Sequence, residues 1–119
     1  MTIREVIEKV NDIRPNAVSD VYKLNAINKL EAMVQTEILR IPFMEQASYS
    51  LSDMDVKLII PTPYDTLYEK YLTAEVDLEQ SEYEAYQNDF VLFNKEYQEF
   101  GAFVMRTKGH RGTKIKNYW

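Results

Sequence analysis

A chain of 119 residues with three glycines, four prolines and no cysteine has the size of one domain, and it can form neither a disulfide nor a thiolate metal site. Its net charge of −5 conceals an asymmetry: residues 1–105 carry nine basic and nineteen acidic side chains, a balance of −10, whereas residues 106–119 carry five basic ones and no acid. An acidic body repels phosphates and so argues against nonspecific nucleic-acid binding by that body. So few glycines argue against a sandwich or barrel, and without a long apolar run or an apolar leader core the expectation is a cytoplasmic, non-membrane protein.

Thr2 and Glu5 have the spacing of a capping box, and Ile3, Val6, Ile7, Val10 and Ile13 follow as a narrow apolar stripe, predicting a helix over 3–13 that Pro15 ends. Ser19 and Asp20 start a second helix over 20–39, carried by Val21, Leu24, Ile27, Leu30, Val34 and Ile38 and stopped before Pro42. Residues 43–55 have no period and read as a loop. Val56 to Ile60 is a short β-branched run, expected either as an extended segment on the helices or as a strand completed by a neighbouring subunit.

Thr62, Pro63 and Asp65 predict a helix over 63–80, with Thr62 as cap and Pro63 in the first helical position. Ser81 and Glu84 have the spacing of another capping box, opening a helix over 82–106. The stripes are aromatic: Tyr64, Leu67, Tyr71, Ala74 and Leu78 on the first of these two helices, then Tyr83, Tyr86, Phe90, Phe93, Tyr97, Phe100 and Val104 on the second. A turn near Gln80 makes the pair an antiparallel hairpin. The expected fold is therefore all-α: a small helical bundle with a long C-terminal antiparallel helix hairpin, a central loop or extended segment, and a flexible basic tail. The division is a helical domain over 1–106 and a tail over 107–119.

No motif supports catalysis. His110 is the one histidine, set among basic residues, and reads as solvated. The many carboxylates of residues 65–99 lack the Glu-x-x-His pattern of a helical di-metal site and read as an acidic, solvated face, so neither an enzyme nor a metal or cofactor is expected. Tyr68 falls beside the main stripe and is the candidate interface residue on the body. In the tail, Arg106, Lys108, Arg111, Lys114 and Lys116 with Tyr118 and Trp119 form a candidate partner-binding segment, charge steering it and two aromatics anchoring it. The same composition suits nucleic acid. The alternative reading is thus a small helical DNA-binding or regulatory module acting through this tail.

The chain also resembles a known family. Pro61, Thr62, Pro63, Tyr64, Asp65, Leu67, Tyr68, Tyr71, Leu72, Ala74, Asp77 and Leu78 are followed by Glu82, Tyr83, Tyr86, Asn88, Phe93, Asn94, Tyr97, Gln98 and Phe100. Upstream stand Arg14, Pro15, Asn16, Ala17, Ser19 and Asp20, then Lys23, Leu24, Ile27, Asn28, Leu30 and Glu31. In order and spacing these residues resemble the small head–tail connector (adaptor) proteins of tailed bacteriophages and prophages of Gram-positive bacteria, over most of residues 2–106. Members often carry glycine before the Glu-Tyr of the last helix, where this chain has Gln80 and Ser81. The basic tail lies outside the resemblance. What it implies is a structural virion protein, a homo-oligomeric ring of about twelve copies. The ring would lie between the portal protein and tail-side neck proteins, located in the virion neck and in host cytoplasm during assembly. DNA would pass through its channel without sequence-specific binding, along an acidic wall that repels phosphate.

Overall fold

The computed structural model describes residues 1–111, with side chains to residue 107. Four α-helices follow one another: α1 (Ile3–Ile13), α2 (Asp20–Met33), α3 (Thr66–Glu79) and α4 (Tyr83–Arg111). A π-helical turn, Val34–Ile38, continues α2, and two short 3-10 turns, Phe43–Glu45 and Leu51–Asp53, punctuate the long connection to α3. No strand occurs among the described residues; a single bridge pairs Thr2 with Lys57.

The first two helix starts are set locally, as expected. The Glu5 amide donates to the Thr2 hydroxyl at 3.2 Å and the Thr2 amide to the Glu5 carboxylate at 2.9 Å, a closed capping box. The Ser19 hydroxyl accepts from the Tyr22 amide at 3.2 Å. Ile3, Val6, Ile7 and Val10 are buried, as are Leu24, Ile27, Leu30 and Val34. The ends of both stripes, Ile13 and Val21, lie at the surface.

Two expected helix starts are corrected. Pro63 is not the first residue of α3. Residues 61–65 are wound into tight turns, with the Tyr64 amide on the Pro61 carbonyl and the Leu67 amide on that of Tyr64, and α3 begins at Thr66. This winding brings the Tyr64 ring to 5.3 Å from Phe100 and 5.1 Å from Phe103, so tertiary packing of an aromatic overrides the local start signal. Ser81 likewise caps nothing. Its φ of 61° puts it in the left-handed region, where it ends α3: its amide donates to the Leu78 carbonyl and that of Glu82 to the Asp77 carbonyl, a Schellman closure. α4 then begins at Tyr83 and continues to Arg111, past the expected end near Arg106.

α3 is central and packs on α1, α2 and α4, its contact with α4 being the most extensive. Leu67, Tyr68, Tyr71, Leu72 and Val76 meet Phe93, Phe100 and Val104 across that seam and the α1 and α2 stripes on the other side. Tyr71 lies 5.0 Å from Phe93. The 56–60 segment lies on the helices: Leu58 and Ile60 are buried, and the Leu58 amide donates to the Met1 carbonyl at 2.9 Å.

Candidate functional site

Asn28, Glu31 and Gln35 recur at spacings of three and four and form a polar face along α2 and the π-turn. Each grips the connection to α3. Asn28 exchanges two 2.8 Å hydrogen bonds with the backbone of Tyr49. Gln35 accepts from the Ala47 amide at 2.9 Å and donates to the Ala47 carbonyl at 3.1 Å. Glu31, fully buried, accepts from the Tyr68 hydroxyl at 2.5 Å, the Tyr49 hydroxyl at 2.9 Å and the Ile59 amide at 3.2 Å. Burial pushes the Glu31 carboxyl up, and the Tyr68, Tyr49 and Ile59 donors pull it back. Three donors satisfy this carboxylate, so its work is to hold the connection against two helices.

This placement corrects the expectation for Tyr68. It is 1% exposed, and its hydroxyl donates to Glu31 while accepting from the Ile60 amide at 2.8 Å. It is an internal strut with no face toward a partner.

A second cluster joins three helices. Arg14, at the C-cap of α1, reaches Asp77 of α3 at 2.5 Å and Asp89 of α4 at 3.5 Å. Asp77 has no exposed side-chain area, and its Oδ2 has no hydrogen-bond partner among the described residues. Burial first, then the facing Asp89 carboxyl, push Asp77 up to about 6 against the opposing pull of Arg14. Asp77 therefore departs from the solvated acidic face expected of its neighbours.

The sequence held one signal for each cluster. Glu31 stands four residues after Ile27 and seven after Leu24, inside the apolar stripe, and Asp77 stands three after Ala74. Charge at a stripe position implies a buried, partnered group.

At the surface, Phe43 and Met44 stand side by side on a 3-10 turn, 83% and 91% exposed. Val91 and Leu92 of α4 are also exposed. A shallow groove of about 530 Å³ follows the α3–α4 seam between Tyr64 and Glu99, crossed by the Lys70–Glu96 ion pair at 3.0 Å and the Thr66–Glu96 hydrogen bond.

Of the predicted tail residues, Arg106 is exposed on α4. Lys108 and Arg111 belong to the last turns of α4, their side chains outside the description, and Lys114, Lys116, Tyr118 and Trp119 lie outside the described residues. Among the described residues no group of three or more His, Cys, Asp or Glu is placed to hold a metal ion, and no helix is long and apolar enough to cross a membrane. Comparisons with protein-family models, with curated proteins and with solved structures give no match.

Proposed function

We propose that this chain is a head–tail connector of a tailed bacteriophage or prophage, a structural virion protein whose copies ring the DNA channel between the portal and the tail-side neck proteins. The observation that carries the reading is the ordered set of residues shared with that family from Arg14 to Phe100. Their burial pattern supports it: Leu24, Ile27, Leu30, Tyr68, Tyr71, Phe93 and Phe100 are all interior. The family-like residues thus specify one packed unit, with α3 and α4 as its helix hairpin. The acidic body suits a wall along which DNA moves without adhering.

The tandem Phe43 and Met44 is the apolar surface such a subunit would offer a neighbour. So prominent a pair is unusual on a protein that works alone. The basic segment from Arg106 onward would reach an acidic face of the adjoining subunit or of the portal.

Electron microscopy of the chain mixed with the portal protein of the same phage or prophage tests the reading. A closed ring on the portal is expected, and a variant carrying Phe43→Ser and Met44→Ser should fold yet fail to close it. A single bound copy, or no binding, would reject the connector. Salt-sensitive DNA binding lost on removing the residues after Thr107 would favour the DNA-binding or regulatory module instead.

A further inference from the structure

α4 is anchored unevenly. Phe93, Phe100 and Val104 are fully buried, but residues 83–92 contribute no fully buried side chain. Tyr83, Val91 and Leu92 are exposed, while Tyr86, Asp89 and Phe90 are half-buried. This stretch is tied to α1 by the Asp89–Arg14 ion pair, and the same guanidinium holds the fully buried Asp77 of α3. Two carboxyl groups thus face one cation, and one of their oxygens, the buried Asp77 Oδ2, has no donor among the described residues. A single proton on the pair remedies both defects. It reduces the excess charge to what Arg14 balances and gives Oδ2 a hydrogen to offer Asp89.

We propose that Arg14, Asp77 and Asp89 form a proton-operated clasp: one proton shared by the two aspartates fastens the first turns of α4 to α1 and α3, and its loss loosens residues 83–92 while the remainder of α4 stays docked. The proton leaves to bulk water through the shallow groove beside Ile13, Thr73 and Leu92, onto which Arg14 and Asp89 open. Other charges nearby do not replace it. Glu69 and Lys70 of α3 line the groove, but Lys70 is engaged by Glu96, and Lys23 of α2 is held by Asn11 of α1 at 2.7 Å. The raised titration of Asp77, to about 6, falls within the range over which the clasp would open.

Hydrogen exchange of the full chain, corrected for the intrinsic effect of pH, reads the clasp directly. Amides 86–96 are the reporters: the Tyr86 amide donates the first bond of α4, to the Glu82 carbonyl, and amides 93–96 donate to carbonyls of the stretch that loosens. Their protection should fall roughly tenfold between about pH 5 and about pH 8, with amides 97–104 unchanged. Asp77→Asn, which copies the shape and donor of the protonated carboxyl, should abolish the difference. Asp89→Asn, leaving one carboxylate for Arg14, should do the same and serves if the first variant folds poorly. Equal protection at both pH values, loosening along all of α4, or a difference that persists in the variants would overturn the proposal.

Discussion

Tyr68 and Asp77 are each buried with a polar atom that decides their effect. Tyr68→Phe keeps the ring but deprives the Ile60 amide of its acceptor and Glu31 of a donor, so a loss of about 1–3 kcal/mol is expected from urea unfolding. Asp77 titrates higher in the folded chain, near 6, than its ordinary value of 3.8. The folded state therefore holds the proton more tightly, and the stabilisation this brings is complete below about pH 4 and lost as pH rises through about 6. Asp77→Asn carries no such charge. Its stability relative to the parent should climb between those values, by about 3 kcal/mol at most, and then level off. Glu31 shifts in the same direction, so the parent's own profile should decline with rising pH over this window.

Helix ends carry the next scale. Ser81 occupies a left-handed position that a side chain tolerates poorly, and Ser81→Gly should raise stability by up to about 1 kcal/mol, read from the denaturation midpoint. Phe93 and Phe90 sit on one stripe with unequal burial. Phe93→Ala should cost about 3–5 kcal/mol, and Phe90→Ala, at a half-buried site, about 1–2. The starts of α1 and α2 were legible because their caps act within four residues. The start of α3 was not, because the Tyr64 ring answers to Phe100 and Phe103, more than thirty residues away. Glu31 and Asp77 were disguised by charge: periodicity placed them inside, but no sequence spacing names Tyr49 or Arg14 as partners. The exposure of Phe43 and Met44 was hidden for the opposite reason, since an aperiodic stretch gives no face to assign.

At the level of the whole molecule, Val104 is the last fully buried side chain among those described, and Arg106 already faces solvent. A chain ending after Thr107 should keep its stability within about 0.5 kcal/mol. If the basic segment docks on protein, that truncation weakens assembly with the portal and leaves DNA affinity unchanged. The core is thus separable from whatever the last residues bind, and helicity with unfolding on one side, and assembly on the other, measure the two independently.

The grip of α2 on the connection also governs how freely this protein can drift. Asn28 and Gln35 hold main-chain atoms of Tyr49 and Ala47, so the loop is recognised without regard to most of its side chains. A saturation library should therefore be lopsided. Ala47 and Ser48, both exposed, should accept nearly any replacement, with proline barred at Ala47 for want of an amide hydrogen. Asn28 and Gln35 should accept almost none, because no other side chain offers a donor and an acceptor at those two reaches. Variation in the loop and constancy in the helix would come from one and the same contact.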